Sequence, residues 1–173
     1  MISRGAFVGA DVSLGYFAEV GPRAIIGPGC TIYGCVEGQI GARTQVWRFA
    51  HVMLGAVVGE DCMIGQGVFI ADVVKIGNRC RVQNHTDISR FVELADDVYI
   101  GAGVRFCNAA HFSANAEPQH NPIYIGRGAS IGSNSCLIAP LRIGENAIVG
   151  ANSVVTHDVP AGVTVMGAPA RQK

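Results

Sequence analysis

The segment IGQGVFIADVVKIGNRCR, residues 64–81, decides the fold, because an aliphatic residue opens it and returns at every sixth position. Ile64, Ile70 and Ile76 hold that position, glycine often follows it, and a small residue usually stands fifth in each unit. The same register extends outward over almost the whole chain, from Ile2 to Val155. Self-similarity at a short fixed period is typical of solenoid proteins.

A period of six matches neither a helical face nor the alternation of a plain strand. A short strand followed by a corner does match it. Three such units close a triangular coil, so that residues 18 apart stack at about the 4.8 Å spacing of neighbouring strands. The sequence therefore predicts an all-β fold, a single-stranded parallel β-helix of about eight coils in which residues 1–173 form one domain. The spacing leaves the hand of the helix open.

The composition fits a core that runs the length of such a helix, since 49% of the 173 residues are apolar. The net charge is zero and the few basic residues are scattered, so we expect no nucleic-acid partner. No stretch approaches the roughly 20 apolar residues of a membrane span. The first residues also lack the apolar run of a signal peptide. We therefore expect a cytoplasmic protein with no membrane partner.

Cysteine and histidine spacing argues against a metal site. Cys30, Cys62 and Cys80 stand fifth in their units, where a small inward side chain belongs, and we interpret them as reduced core residues. The sequence contains no Cys-x-x-Cys pair. Its five histidines are widely separated, whereas a catalytic zinc needs converging ligands. We expect no metal.

The register breaks twice. A two-residue insertion lies between Ile32 and Ile40, and a bulge at a corner would explain it. The larger break is CNAAHFSANAEPQHNPIY, residues 107–124, which we interpret as a protruding loop. Loops of this length in compact proteins are usually functional or disordered. We favour a lid or arm over a neighbouring subunit's site, with an unstructured excursion as the alternative.

Stacking by 18 converts the sequence into columns of side chains, and one column is unusually polar. Its third and fourth places in successive coils are Arg48, Gln66, Asn84 and Ala102, followed by Phe49, Gly67, His85 and Gly103. His85 thus lies between two glycines, in a notch open to a substrate, and Asp87 follows two residues later. An imidazole can accept a proton near neutral pH, so His85 is a candidate general base, with a solvated corner histidine as the alternative. His111 in the long loop is a competing candidate.

The C-terminal part carries a resemblance to a known family. NAIVGANSVVTHDVP, residues 146–160, and VMGAPAR, residues 165–171, resemble the coenzyme A region of hexapeptide-repeat acyltransferases, which are left-handed β-helix trimers. The resemblance extends over nearly the whole chain. It implies acetyl coenzyme A as cosubstrate and a homotrimer with active sites between subunits. It also implies that residues 143–173 bind the coenzyme, through Ala151, Ala168, Arg171 and Lys173.

The middle of the chain is similar to one subgroup, the bacterial 3-N-acetyltransferases of O-antigen synthesis. The matching segments are VWRFAH (46–51), GQGVFI (65–70), VQN (82–84) and DDV (96–98). The resemblance implies a nucleotide-linked 3-amino sugar as substrate, with Asn84 contacting the reacting amine and the thiolate leaving group collecting the proton. Two positions depart from the subgroup: Arg48 replaces a histidine, and His85 replaces a second asparagine.

The sequence thus predicts an N-acetyltransferase that works by direct transfer. The expected catalytic residues are Asn84 and His85, with Asp87 orienting the imidazole. The expected substrate-binding residues are Arg48, Gln66 and His111. Two alternatives stay open, namely a sugar O-acetyltransferase that uses a loop histidine and a non-enzymatic β-helix scaffold.

Overall fold

A computed structural model describes residues 1–15, 18–32, 39–108 and 121–173, and within these ranges all regular structure is β. The strands are two or three residues long. In chain order they are β1 (Phe7–Val8), β2 (Ser13–Leu14), β3 (Glu19–Val20), β4 (Ile25–Ile26), β5 (Thr31–Ile32), β6 (Gln39–Ile40), β7 (Gln45–Val46), β8 (His51–Val52), β9 (Val57–Val58), β10 (Met63–Ile64), β11 (Phe69–Ile70), β12 (Lys75–Ile76), β13 (Arg81–Val82), β14 (Asp87–Ile88), β15 (Val92–Leu94), β16 (Tyr99–Ile100), β17 (Arg105–Cys107), β18 (Ile123–Ile125), β19 (Ser130–Ile131), β20 (Cys136–Ile138), β21 (Leu141–Ile143), β22 (Ile148–Val149), β23 (Val154–Val155), β24 (Thr164–Met166) and β25 (Arg171–Gln172).

Up to β23 every third strand joins the same sheet, which gives a prism with three faces, and β24 and β25 extend the first face. The first face has the order β1-β4-β7-β10-β13-β16-β19-β22-β24-β25, the second β2-β5-β8-β11-β14-β17-β20-β23, and the third β21-β18-β15-β12-β9-β6-β3. Neighbouring coils pair in parallel, and β24 with β25 forms an antiparallel hairpin at the end. Met63 pairs with Arg81 and Arg81 with Tyr99, which is the predicted stacking by 18. The left-handed parallel β-helix of about eight coils is confirmed.

The core lies on the axis of the prism because the aliphatic residue of each unit points inward. Ile64, Ile70 and Ile76 are at most 3% exposed, and the fifth-place residues Cys62 and Val68 fill the space between them. Fully burying an aliphatic side chain of this size contributes about 1.5–3 kcal/mol. The repeated sixth residue therefore both defines the coils and supplies the free energy that stacks them.

In most described units the fourth place adopts the left-handed backbone conformation that closes a corner. Gly67 and Gly103 have φ of 62° and 70°, and His85 between them has φ of 57°. A residue with a Cβ is destabilised by about 1–2 kcal/mol in this conformation. Side chains at these positions therefore have a packing or functional reason to be there.

The corner between the third and first faces carries a ladder of alternating charges. Arg43 binds both carboxylate oxygens of Asp61, at 2.7 Å each, from the neighbouring coil. Arg79 holds Asp97 in the same way, at 2.6 and 3.0 Å, and Arg127 adds a contact to Asp97 at 3.1 Å. This ladder of ion pairs thus lies on a different corner from the polar column predicted above.

Both register breaks lie largely outside the described residues. The insertion, including Glu37 and Gly38, falls on residues 33–38 between β5 and β6. Of the loop predicted over 107–124, residues 109–120 are not described. Its ends are strand, since Cys107 pairs in β17 and Ile123 and Tyr124 pair in β18. These strands are three residues long because the neighbouring coils β15 and β20 offer a third pairing position.

Candidate active site

The predicted polar column forms the corner between the first and second faces, which we call the polar corner. Its third-place residues are Arg48, Gln66, Asn84, Ala102, Ser133 and Ala151. Backbone N–H groups of the fourth-place residues donate to their carbonyls, from Gly67 to Arg48 at 3.1 Å, His85 to Gln66 at 2.9 Å and Gly103 to Asn84 at 3.0 Å. The series continues to Ala102 and Ser133. The sequence-predicted residues therefore stack in one column, as expected.

The His85 ring leans back over the preceding coil rather than standing free. A Cβ placed on Gly67 would lie 2.7 Å from its Nδ1 atom. The Phe49 ring fills the space beside Gly29 in the same way, because a Cβ placed on Gly29 would lie 2.6 Å from two of its ring atoms. Glycine and a large side chain thus alternate along this corner. The predicted notch exists, and the exposed imidazole of His85 fills it.

Asn84 is bonded to the preceding coil by its own side chain. Its Oδ1 accepts the backbone N–H of Gln66 at 2.9 Å. Asn78, at the equivalent place on another corner, accepts the N–H of Glu60 at the same distance. This bond therefore helps to hold successive coils together at a corner. It fixes the amide of Asn84, while Nδ2 has no protein acceptor among the described residues and is free to donate to a ligand.

Asp87 does not orient His85 in this structure. It lies on the second face, where it pairs with Phe69 on one side and Arg105 on the other. Among the described residues no hydrogen bond joins its carboxylate to the imidazole. The strand begins at Asp87 and directs this side chain outward from the face, whereas the His85 ring leans along the corner. Instead, Arg105 contacts the His85 backbone, where its Nη1 donates to the carbonyl oxygen at 2.5 Å.

The C-terminal hairpin closes over the last coil at the same corner. The Gly167 N–H donates to the Ser153 hydroxyl at 3.1 Å, and the Val154 N–H donates to the Gly167 carbonyl at 2.9 Å. These bonds place Ala168, in the hairpin turn, beside the coil that carries Ala151. Arg171 is exposed and lines a cleft of about 390 Å³ with His157, Val163 and Ala170. Lys173 is tied to the hairpin by its N–H, which donates to Thr164.

Two family descriptions match regular coils of the helix. "Bacterial transferase hexapeptide (six repeats)" matches residues 122–157, and "Hexapeptide repeat of succinyl-transferase" matches residues 52–84. Both matched segments are hexapeptide repeats of bacterial transferases, which supports placing the chain among the hexapeptide-repeat acyltransferases. The second segment contains Gln66 and Asn84, and the first contains Ser133 and Ala151, so the matched coils carry four of the six third-place residues of the polar corner.

Individual members of the family extend this likeness. The bifunctional protein GlmU of Acidithiobacillus ferrooxidans is 37% identical over 174 residues, covering 95% of this chain and 36% of GlmU. The chain thus spans about a third of that relative. The structure of galactoside acetyltransferase in complex with coenzyme A is 28% identical, with a TM-score of 0.62 over 69% of this chain and 64% of the other.

A third likeness concerns the fold of the family alone. The UDP-N-acetylglucosamine acyltransferase of Campylobacter jejuni has a TM-score of 0.75 at 16% identity, covering all of this chain and 71% of the other. The coils of this hexapeptide-repeat chain therefore superpose on those of an enzyme with a very different sequence.

In the described ranges, no helix has the length and apolar character needed to cross a membrane.

A row of unused backbone donors lies on the polar corner, which sequence reasoning did not locate. The N–H of Gln66 is capped by Asn84, but residue 102 is alanine and has no side-chain acceptor for the N–H of Asn84. Within the described residues, the N–H groups of Asn84 and Ala102 have no protein acceptor. In the sequence, these free donors are indicated by the change from Asn84 to Ala102 along the third-place column.

The remaining predicted site residue is His111, which lies outside the described residues, as does His120. The described part of the chain contains no group of three or more histidine, cysteine or acidic side chains that could hold a metal ion. His51, on the second face, packs against Phe69 with 6.5 Å between ring centroids. This places an aromatic surface next to the polar corner.

The five described cysteines are free thiols, in two different settings. Cys30, Cys62 and Cys80 are buried in the fifth places of their units, as predicted. A hydrogen bond from the Cys80 thiol to Cys62, together with burial, raises the pKa of Cys80. Cys107 and Cys136 differ, because they lie half-buried on the second face with their sulfur atoms 3.5 Å apart. Sequence reasoning missed this pair because the register breaks between the two residues.

Proposed function

We propose that this chain transfers an acetyl group from acetyl coenzyme A to the amino group of a nucleotide-linked sugar. In general terms, we infer an acyltransferase that acts on a sugar. A 3-amino sugar is the acceptor we favour. A homotrimer with each site between two subunits, and a cytoplasmic location, belong to the same proposal.

The observation that carries the proposal is the continuity of the polar corner. One column of stacked residues leads from Arg48 through Asn84 to Ala151, beside the C-terminal hairpin. Three coil spacings separate Asn84 from Ala151, which is about 14 Å. An extended thioester arm that lies along this corner, with its nucleotide end at the hairpin, would bring its acyl group toward Asn84. The galactoside acetyltransferase of similar fold was solved with coenzyme A.

The reaction requires few chemical groups from the protein. The sugar amine attacks the thioester carbonyl carbon, the carbon–sulfur bond breaks, and the departing thiolate takes the proton that the amine loses. Alignment of two bound reactants can supply roughly 7–11 kcal/mol of the barrier. A site built from a rigid corner and two bound substrates suits such a reaction.

The free N–H groups of the polar corner supply electrostatic stabilisation of the tetrahedral intermediate. The tetrahedral intermediate carries its negative charge on the former carbonyl oxygen. A single donor aimed at such an oxygen is worth about 100- to 1,000-fold in rate. The N–H groups of Asn84 and Ala102 are rigidly held by the stacked coils, and the Asn84 Nδ2 adds a side-chain donor beside them. We assign the oxyanion contact to this group.

The other side chains serve binding and proton transfer in this proposal. The Oδ1 atom of Asn84 keeps one lone pair for an amine N–H, because Gln66 occupies the other. His85 is an auxiliary base, or a hydrogen-bond partner of the sugar, without help from Asp87. Arg48 and Gln66 lie on the preceding coils, where the planar guanidinium of Arg48 suits a phosphate or a carboxylate.

The experiment that tests the function follows free thiol while the protein is given acetyl coenzyme A and single acceptors. UDP-, dTDP- and GDP-linked amino sugars are compared with the hydroxyl sugars of the same nucleotides. The proposal expects thiol release and an acetylated product with at least one amino sugar. Thermal stabilisation by the coenzyme without any turnover would reject these acceptors, and absence of coenzyme binding would favour a scaffold.

One observation favours O-transfer as a second candidate. Among the structural likenesses described above, galactoside acetyltransferase shares the higher sequence identity, at 28%. Turnover of hydroxyl sugars but not of their amino counterparts would decide for this candidate. In that case His111→Ala should abolish turnover while His85→Asn leaves it unchanged, because the base would then lie in the long loop.

A further inference from the structure

The Cys107 and Cys136 thiols form a close pair on the second face, on the neighbouring strands β17 and β20. Their sulfur atoms are 3.5 Å apart. Cys136 pairs across the ladder with Arg105 and Cys107 pairs with Ile138, so the two cysteines are diagonal neighbours on adjacent coils. Both side chains lie on the outer side of the sheet, since Phe106 and Leu137 between them point into the core.

We propose that Cys107 and Cys136 are a site of reversible oxidation, at which an intramolecular disulfide joins β17 to β20. This inference does not depend on the proposed function. A disulfide needs a sulfur–sulfur distance of about 2.05 Å, so the two atoms must approach by about 1.5 Å. Diagonal neighbours in a sheet have Cα atoms about 7–8 Å apart, at the upper limit for a disulfide, so rotation of the two half-buried side chains must be accompanied by a small backbone shift at the ends of β17 and β20.

The oxidant belongs to the class of small-molecule disulfides, such as oxidised glutathione. One protein thiolate attacks a sulfur of that disulfide, which releases one glutathione thiolate and leaves a mixed disulfide. The second protein thiolate then attacks the protein sulfur of the mixed disulfide and releases the other glutathione. Two protein thiols are oxidised, and one glutathione disulfide is reduced to two thiols. No further reactant is needed.

The surroundings of the pair set the conditions for this exchange. Burial, followed by the hydrogen bond between Cys107 and Cys136, raises the pKa of Cys107 to about 11. The Asp87 carboxylate on β14 also raises it, whereas Arg105 on β17 lowers it. Only the thiolate reacts. The exchange should therefore accelerate as the pH rises from 7 to 9.

The buried pair Cys62 and Cys80 is a matched control within the same molecule. These residues also stand on adjacent coils, 18 positions apart, but they are only 2% and 0% exposed. A small disulfide cannot reach them while the coils remain stacked. Because solvent access controls the reaction, the 107–136 pair should oxidise at least about tenfold faster than the 62–80 pair.

The test treats the native protein with oxidised glutathione at pH 8, blocks the remaining thiols and maps tryptic peptides by mass. Residues 106–127 and 128–142 form adjacent tryptic peptides, each with one cysteine. We expect these peptides to be linked, with a loss of about 2 Da for the two hydrogens removed. Reduction with dithiothreitol should separate them again.

Two variants complete the test. Cys107→Ser and Cys136→Ser should each abolish the link and leave glutathione attached to the remaining partner. The proposal is overturned if both cysteines of the native protein are blocked as free thiols after oxidation. It is also overturned if the link joins separate subunits, or if Cys62 and Cys80 oxidise as fast as the exposed pair.

Discussion

The Nδ1 atom of His85 lies where a side chain at Gly67 would begin, since a Cβ at Gly67 would be 2.7 Å from it. The two residues are one coil apart, and both adopt positive φ, at 57° and 62°. The imidazole can occupy this position only because residue 67 has no Cβ. The relationship links a backbone feature of the repeat to the geometry of the candidate site.

Gly67→Ala should therefore displace His85 with little additional loss of stability. The alanine pays about 1–2 kcal/mol for its positive φ, while the exposed imidazole can rotate away from the new methyl group. Gly162→Ala is the matched control, because Gly162 has φ of 69° and no atom within 4 Å of the corresponding point. Urea unfolding should give similar losses for both variants, and acetyl transfer should fall in Gly67→Ala alone. Equal turnover in the two variants would show that the position of His85 does not matter.

Asn84→Ala should reduce turnover far more than its structural cost explains. The variant loses the bond to the Gln66 N–H, worth about 0.5–1.5 kcal/mol of stability, together with the amide that faces the acceptor. Asn78→Ala loses the equivalent bond to Glu60 on another corner. We expect the two variants to unfold at similar urea concentrations, with kcat reduced about 100-fold or more only in Asn84→Ala. Similar kcat values would leave Asn84 with a purely structural role.

Ala102→Asn should lower kcat by adding a hydrogen bond rather than by removing one. An asparagine here would accept the Asn84 N–H, as Asn84 accepts that of Gln66. The cap would withdraw one proposed oxyanion donor, and kcat should fall about 100-fold while the stability is kept or increased. Ala161→Asn is the control, because it would cap the Glu145 N–H on the corner between the third and first faces. If Ala102→Asn remains fully active, the oxyanion lies elsewhere.

The sequence alone predicted the coils, the corner and its order, because a six-residue period leaves few arrangements that bury every aliphatic residue. Arg48, Gln66 and Asn84 follow from counting 18, and the structure stacks them as counted. Such a prediction needs only backbone registration. It holds wherever the repeat is unbroken.

Side-chain direction was not predictable in the same way. The expectation that Asp87 orients His85 placed two residues close together in sequence, but the strand directs one outward while the other leans along the corner. The Cys107 and Cys136 pair was hidden for the opposite reason. The two cysteines are distant in sequence, and the irregular segment between them destroys the count that would have stacked them.

Arg171→Ala should weaken coenzyme binding without a comparable effect on the chemical step. Among the residues that the structure describes, the exposed guanidinium beside the C-terminal cleft bonds only to the carbonyl oxygen of the adjacent Ala170, at 2.9 Å. It is therefore available for a phosphate, and its loss should raise the KM for acetyl coenzyme A about tenfold, since a bond to a charged group contributes about 1.5–3 kcal/mol. Arg4→Ala, in the first coil, should leave KM unchanged. An unchanged KM in Arg171→Ala would remove this residue from the coenzyme site.

Acid stability should depend on the charged ladder of the corner between the third and first faces. Hydrogen bonds from Arg79, with a smaller contribution from Arg127, lower the pKa of Asp97 to about 2. An unfolded aspartate titrates near 3.9. Because the folded pKa is the lower one, the contribution of Asp97 to stability is complete above about pH 4 and is lost as the pH falls toward 2.

Asp97→Asn should therefore lower the midpoint of thermal unfolding at pH 7, and the difference from the native protein should shrink between pH 4 and pH 2. High salt should also reduce it, because the ladder is exposed and screened. Asp11→Asn is the control, since Asp11 shares the fourth place and a φ of 55° but makes no ion pair among the described residues. Asparagine tolerates this backbone conformation. A difference that stays constant from pH 7 to pH 2 would mean that the Asp97 carboxylate contributes through packing and not through its charge.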